Sequence, residues 1–472
     1  MNTMLAMAPF VQLVQKCFNG EADALYKLLF DLFFLYRYTR TVVSCFTFLF
    51  YQPKPVQEKP KYVAQDVTVV VPTTFKSPAE LIQCLRCILN CSPAAVYVVT
   101  GNNNVELVKE ICGVERFLGV QVLGVEKLNK RKQMTRALKE VNTDIVVFAD
   151  DDVFWPERYL DYLLAIFEDD KVGAGGTRQR VRRNSSPNFW NFLGICYLER
   201  RVWNNVRTIA IDGSISTLSG RTAAYRTEIL KTEEFFYYME NDKWLGRPLN
   251  TDDDKCLTRY VYSHDWDIAL QFDPRSVIET TLEDNPKYID QCLRWSRSSW
   301  RGNGIVMMNE TYWRSRKHWW GLYVIYLGQF QVPTLLVDGT LFGLLYMSAP
   351  ENFKAACLCL ASWTLFAKTV KLIPHFYRHP QDLIFLPVMY LFTYLHGFIH
   401  VYALFTLTKT HWGGQQLDKL ENARAKNDEV VPLLRSAMAE ADDYLEPTPG
   451  RLMVGDDYFS AVPMAQLIRV SV

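Results

Sequence analysis

Three long apolar stretches crowd the last third of the chain and dictate most of what it can become. Residues 322–347 (LYVIYLGQFQVPTLLVDGTLFGLLYM) carry a single acid, Asp338. Residues 353–374 carry Lys368 and Lys371 near one end, where long stems can snorkel. Residues 383–408 (LIFLPVMYLFTYLHGFIHVYALFTLT) are broken early by Pro387. Each is long enough to cross a bilayer, and a chain of 472 residues would struggle to bury all three in a soluble core. Thr311–Gly321 (TYWRSRKHWWG) mixes tryptophan with cations, as a membrane-interface segment does. The chain is therefore expected to sit at a lipid bilayer. The N-terminal run Leu28–Tyr51 is interrupted by Asp31, Arg37 and Arg40, so it either spans with interior partners for those charges or lies in the interface. It lacks a convincing cleavage site and does not read as a signal peptide.

A net charge of +1 supplies no field for nucleic acid. Eleven scattered cysteines, an odd number, suit reduced thiols facing the cytosol. Cys84, Cys87 and Cys91 imitate a metal knuckle, but they fall in SPAELIQCLRCILNC. There Ser77, Pro78 and Glu80 predict a capping box with proline at the first helical position, and Leu81, Leu85, Ile88 and Leu89 repeat at helical spacing. With no second ligand pair following, these are expected to be core or surface cysteines.

From Asp66 to about Asp284 the pattern changes to alternating strands and helices. VTVVVPTT (67–74), AVYVVT, VQVLGV and DIVVFA predict buried strands. The capped helix after Ser77, the helix ELVKEI and a basic helix at 130–138 lie between them. This is the rhythm of a doubly wound α/β sheet, whose ligands collect at the carboxyl ends of the strands. Asp150-Asp151-Asp152 stands at one such end, within FADDDVFWP. Three adjacent carboxylates fit a divalent cation; they also fit a solvated loop before a helix starting at Trp155-Pro156-Glu157. The position favours the metal.

The ordered set VVVPTTFKS, FADDDVFWP, SGRTAAYR, TDDDKCLT and QCLRW, followed by apolar segments, resembles the family-2 glycosyltransferases. The similarity is to the processive, membrane-embedded branch of hyaluronan, chitin and cellulose synthases, and most to the hyaluronan-synthase-like type 2 glycosyltransferases of fungi. It covers roughly residues 65–415. It implies an α/β GT-A (Rossmann-like) nucleotide-sugar domain with flanking transmembrane and interfacial helices. It also implies a UDP-sugar donor, a growing polysaccharide acceptor and Mn²⁺ or Mg²⁺.

Residue roles follow from the same resemblance. Asp150 and Asp152 would be the D-x-D metal pair, Asp152 the more direct ligand, with Asp151 pointing elsewhere. Asp254 would be the catalytic base, Asp253 filling the preceding acidic position. The alternative is an acidic helix start favoured by the helix dipole. Gln291, Arg294 and Trp295 form the Q-x-x-R-W motif: Arg294 toward the diphosphate, Trp295 a stacking platform for the acceptor sugar, or else a structural helix with a buried tryptophan. Lys130 and Arg131 match a G-K-R element near the diphosphate, with Asn129 in place of glycine; the plainer alternative is a solvated basic helix. Thr73 joins the donor side, and Ser219-Gly220 resembles the small-residue turn near the acceptor. Arg178, Arg180, Arg182 and Arg183 form a basic loop expected to be solvated or near headgroups. Where the family carries Asp-Gly against the uracil, this chain has Thr100-Gly101, which moves that contact, with Asn102 as a replacement. Trp412-Gly413, in HWGG, resembles a gating loop.

The expected organisation is a membrane-associated segment at 1–64, a cytosolic catalytic domain at 65–300, an interfacial and transmembrane region at 301–414 and a polar cytosolic tail at 415–472, partly helical and partly disordered. If Trp412 returns to a cytosolic site, an even number of crossings separates it from Trp295. One of the three apolar segments, the one with Pro387, is then re-entrant or interfacial. The localisation implied is a multi-pass membrane protein, the plasma membrane by family, alone, as a homo-oligomer or with an accessory subunit. Competing readings are a non-processive enzyme that glycosylates a lipid, as ceramide glucosyltransferases do, and a non-catalytic membrane scaffold.

Overall fold

The computed structural model describes residues 22–314 and 317–410, with residues 12 and 16 alone before them. The four strands read from the sequence are β1 (Val67–Pro72), β2 (Ala95–Gly101), β3 (Val120–Val125) and β4 (Ile145–Ala149). They lie parallel in the order β4-β1-β2-β3. The later strands are β5 (Val153–Phe154), β6 (Val172–Thr177), β7 (Gln179–Val181), β8 (Thr222–Arg226), β9 (Lys243–Trp244), β10 (Arg247–Pro248), β11 (Asp267–Gln271) and β12 (Ile278–Thr280). The main sheet runs β11-β6-β8-β4-β1-β2-β3, β5-β12-β7 forms a small second sheet, and β9 pairs with β10. β8 is antiparallel to both β4 and β6, so the sheet is mixed rather than wholly parallel. That reversal lays the start of β8 beside the carboxyl end of β4.

Nine helices matter below: α1 (Ala22–Phe50), α2 (Pro78–Asn90), α3 (Lys130–Leu138), α4 (Phe189–Asp212), α5 (Asp253–Ser263), α6 (Tyr288–Met307), α7 (Thr334–Met347), α8 (Phe353–Thr369) and α9 (Leu386–Leu404). The sheet is buried on both faces because its strands are apolar at successive positions. Val67, Val69, Val71, Ile145 and Val147 face one layer with Leu81, Leu85 and Ile88 of α2. Val70, Val146 and Phe148 face the other, with Met134 and Leu138 of α3 and Leu257 and Val261 of α5. Cys84 and Cys91 are buried in the first layer. The capping box does not form: Ser77 makes no side-chain cap, and Glu80 instead accepts from Thr281 Oγ1 at 3.0 Å. Proline at the helix start is sufficient here, since it removes a donor that would go unpaired. The basic loop is not solvated either. The Arg182 guanidinium lies 3.7 Å from the Phe154 ring centroid, and Arg178 is buried against Phe272.

α1 is one helix of 29 residues, about 43 Å long at helical rise. Its first half packs Phe30, Phe33, Phe34 and Tyr38 against Leu341, Leu345 and Leu360 of α7 and α8; its end reaches Trp203 and Phe272 of the α/β domain. One of its charges finds interior partners: Arg37 donates to the Gln331 carbonyl at 3.0 Å and stands 3.8 Å from Asp338, which Lys368 also holds at 2.5 Å. Arg40, by contrast, reaches only the Gly328 carbonyl among the described residues, at 3.5 Å. The first apolar stretch is not one straight rod. Trp319–Gln331 and Thr334–Met347 meet at 89°, the break falling at Pro333, which has no N–H to continue the ladder. By length and composition two helices, Phe353–Arg378 and Pro380–Leu404, could each cross a membrane. Pro387 does not break its helix; it sits in the first turn of α9.

α9 lies against α6, the helix that carries QCLRW. Tyr288 meets Phe392, Trp300 stacks on His400 at 4.7 Å, and Arg297 donates to Thr406 Oγ1 at 2.9 Å. Just before α9, Asp382 accepts both arms of Arg183 at 2.8 and 3.0 Å and a bond from His375 at 3.0 Å. Both ends of this helical stretch are thus bonded to the α/β domain or to the helix leaving it.

Candidate active site

The acidic triplet leaves β4 exactly one register step from the turn into β8: Asp150 N donates to Arg221 O at 2.9 Å. From the other side comes α5, whose N-terminus is entered through Asp252 in the left-handed region (φ 64°). Lys130, at the start of α3, bridges the two acidic loops. Its Nζ lies 2.6 Å from Asp150 Oδ1 and 3.2 Å from Asp253 Oδ2. Gly220 lies between them: a Cβ there would lie in van der Waals contact with both Asp254 Cβ and Lys130 Nζ, at 3.4 Å from each. Asp150, Asp253, Asp254, Lys130 and Gly220 therefore share one pocket.

Their electrostatics divide. Against a burial that would raise it, Lys130 and then Arg131 hold Asp253 below the ordinary carboxylate range. Asp254, one residue on, is pushed above it by burial and by Asp253. Two neighbouring carboxylates driven apart in this way take different chemical roles. Burial, Asp150 and Asp151 push Asp152 well above the usual range, and its Oδ1 is buried with no partner among the described residues. Asp151 turns away, accepting from Thr73 Oγ1 at 2.5 Å, and burial lifts it to about 6. Thr73 is itself buried and its hydroxyl also accepts from Phe75 N, so it ties the Asp151 carboxylate to the loop after β1.

Trp295 reaches the same place from α6. Its ring stacks on Tyr197 at 4.4 Å and 19°, and the Arg221 guanidinium lies 5.7 Å from its centroid. The Arg294 guanidinium is 6.0 Å from that ring, and Gln291 Oε1 is buried without a partner. Ser219 is buried, its hydroxyl accepting from Arg221 N at 3.5 Å. Trp412 and Gly413 lie outside the described residues.

Arg131 departs from the expected donor-side position. It is 2% exposed, and its guanidinium is spent on Met239 O, Asp242 Oδ2 and Thr251 O. Burial this complete excludes the solvated helix as well; Arg131 holds the strand-turn leading into Asp252. Thr100 is fully buried with an unpartnered hydroxyl, and Asn102, beyond it at the end of β2, is exposed.

Three residues escaped sequence reasoning. Arg201 of α4 acts on Asp254 through its field. Lys255 is buried beneath the pocket, donates to Ser216 Oγ at 3.2 Å and is lowered by burial to about 8. Arg301 of α6, 1% exposed, donates to Asp252 Oδ2 at 3.0 Å and to the carbonyls of Leu407 and Lys409 at 3.2 and 3.1 Å. It joins the loop before α5 to the segment leaving α9. Arg201 stands in the charged step Glu199-Arg200-Arg201 that interrupts an apolar run, FLGICYLERRVW; nothing local marks the other two.

Residues 64–298 match the family described as "Glycosyltransferase like family 2". The chain is 39% identical over 406 residues to the "Type 2 glycosyltransferase" of Zymoseptoria tritici, covering 85% of each chain. It is 23% identical over 367 residues to the "Hyaluronan synthase" of Streptococcus pyogenes, covering 74% of this chain and 82% of that one. Among solved structures it is similar to the mannosyltransferase PcManGT from Pyrobaculum calidifontis in complex with GDP-Man and Mn²⁺. The TM-score is 0.51 at 16% identity, over 83% of this chain and all of that one, a likeness of fold.

Proposed function

The chain belongs to the type 2 glycosyltransferases, and from that premise we propose a membrane-embedded, inverting enzyme that moves sugar from a UDP-sugar onto a growing polysaccharide, processively. The observation that carries the chemistry is the split between paired, ionised Asp253 and raised Asp254 across Gly220 from the D-x-D pair. Asp254 takes the proton of the acceptor hydroxyl as its oxygen bonds the anomeric carbon and the bond to the diphosphate breaks. Lys130 and Arg294 offset the charge of the departing nucleoside diphosphate. Trp295 offers a flat indole face to the sugar's C–H face, held edge and face by Tyr288 and Tyr197.

The acidic residues fit a hard divalent cation. Asp152 Oδ1 is buried without a protein partner, and two carboxylates plus donor phosphate oxygens suffice for Mg²⁺ or Mn²⁺. Such an ion, when bound, supplies Lewis-acid charge to the diphosphate. The fold neighbour's Mn²⁺ supports the reading. EDTA is expected to abolish transfer and Mn²⁺ or Mg²⁺ to restore it in a radiolabel assay. Turnover that survives chelation would strip Asp150 and Asp152 of this role.

The processive part draws support from the hyaluronan-synthase likeness, which spans the membrane region as well as the catalytic domain. In this reading α8 and the bent stretch Trp319–Met347 that ends in α7, the latter taken as one broken span, cross the bilayer beside α1. α9, apolar enough to cross but bonded at both ends to the catalytic domain or the helix leaving it, lies along the interface. The path from Trp295 then crosses twice before the segment leading to Trp412. Trp295→Ala should raise the acceptor KM at least tenfold, the scale of a lost sugar-stacking contact, with donor binding nearly unchanged. Weakened donor binding with normal acceptor use would overturn the platform role.

The deciding experiment uses the full chain in lipid vesicles with a panel of labelled UDP-sugars and GDP-mannose. Products are sized on gels and digested with specific glycosidases. A long, digestible polymer from a UDP-sugar is expected. A lipid-extractable product carrying one sugar would replace the synthase reading with the lipid-acceptor one.

A further inference from the structure

α4 leads out of the active site toward the membrane bundle. Tyr197, under Trp295, is followed by Arg200, Asn204 and Arg207, at steps of three, four and three residues that keep all four on one helical face. At the far end Arg207 meets α1, its Nη1 3.3 Å from Ser44 Oγ, one turn beyond Arg40. The turn Val370–Leu372, which carries Lys371 out of α8, packs against α4. Arg40, Arg207 and Lys371 thus converge, with Arg37 and Arg200 in reach of their field.

These charges lack counter-charges. Among the described residues no carboxylate lies within ion-pair distance of Arg40, Arg207 or Lys371, and Asp338 is engaged by Arg37 and Lys368. Arg207 is 5% exposed, and both its Nε and the nearby Asn204 Oδ1 are buried without partners. Burial pulls the Arg207 guanidinium down to about 10. Burying a cation such as Arg207 without a counter-charge is costly, a burden a bound anion removes. Ile373 and Tyr377, just beyond Lys371, are exposed apolar side chains. An anion seated here would have lipid beside it.

We propose that Arg40, Arg207 and Lys371 form a phosphate-binding site where the bundle meets the catalytic domain, filled by the headgroup of an anionic membrane lipid. Arginine forks and a lysine point charge are the donors a phosphate monoester or diester takes. Free phosphate shares that chemistry but lacks the acyl chains that the exposed Ile373 and Tyr377 would meet. The inference rests on the membrane reading above, and not on which sugar is transferred.

The test is native mass spectrometry of the full chain, released from neutral detergent with short-chain phosphatidic acid, phosphatidylcholine, inorganic phosphate or an acidic oligosaccharide. Phosphatidic acid should be retained about tenfold better than phosphatidylcholine, the scale of one or two charge-assisted bonds. Lys371→Gln, on a half-buried turn, and Arg207→Gln should each remove most of that preference; if Arg207→Gln does not fold, Lys371→Gln decides alone. Inorganic phosphate binding that is lost in Lys371→Gln, without lipid retention, keeps the phosphate site and changes its source. Equal retention of both lipids, a preference untouched by Lys371→Gln, or binding only of the acidic oligosaccharide overturns the proposal. A chain that stays soluble and monodisperse without detergent would instead refute the membrane reading.

Discussion

Replacing Asp254 with asparagine is expected to cut sugar transfer by about 10²- to 10⁴-fold, the usual worth of a positioned general base, while donor binding persists. The substitution keeps the shape and removes only the proton acceptor. Donor affinity should survive because Lys130, Asp150, Asp152 and Arg294 are untouched. The pH profile supplies an independent check. Burial and Asp253 raise the Asp254 carboxyl, so its basic form appears as pH rises through that raised value, and transfer should fall away on acidification sooner than an ordinary carboxylate would dictate. Asp253 is held ionised by Lys130 and does not fit the profile. Radiolabel transfer and calorimetric donor binding on the same preparations decide the matter. Wild-type transfer by Asp254→Asn would move the base elsewhere, with Asp253→Asn the next variant to measure.

Arg301→Met should be the most damaging change outside the pocket itself. Arg301 and Asp252 are both almost fully buried, their side chains 2.9 Å apart, and cutting one partner of such a pair costs about 3–5 kcal/mol. Asp252 also sits at φ 64°, a conformation an aspartate holds only when its surroundings insist on it. Freed of Arg301, the loop that presents Asp254 would relax, and the Leu407 and Lys409 carbonyls would lose their donor. Denaturant unfolding in detergent should report the loss, and Asp252→Asn combined with Arg301→Met should recover part of it by removing the orphaned charge. Stability and transfer both unchanged in Arg301→Met would show that the loop is held by something else.

How much of this could be read beforehand depended on whether the signal was local. β1 to β4 declare themselves as apolar runs between turn residues, and each appears where expected. The acidic triplet lies at the end of a strand the pattern had already placed, whereas TDDD was legible only as a motif, the helix it opens having stood as the alternative to a catalytic role. β8 was legible as a motif but not as a reversed strand, because direction is set by tertiary pairing with β4 and β6. Arg131 shows the opposite failure. Within a charge run it looks interchangeable with Lys130, yet one faces the pocket and the other is buried among Asp242, Met239 and Thr251, more than a hundred residues away in sequence. Arg301 has partners 49 residues behind and more than a hundred ahead, beyond the reach of any periodicity.

The turn between α7 and α8 is only Ser348–Asn352, and it closes the end of the bundle remote from the catalytic domain. In the proposed topology those five residues are all that the described part of these two helices offers to the far side of the membrane. A glycan leaving the bundle in that topology would meet only those five residues of α7 and α8, so any vestibule on the far side has to be built from something other than this pair of helices.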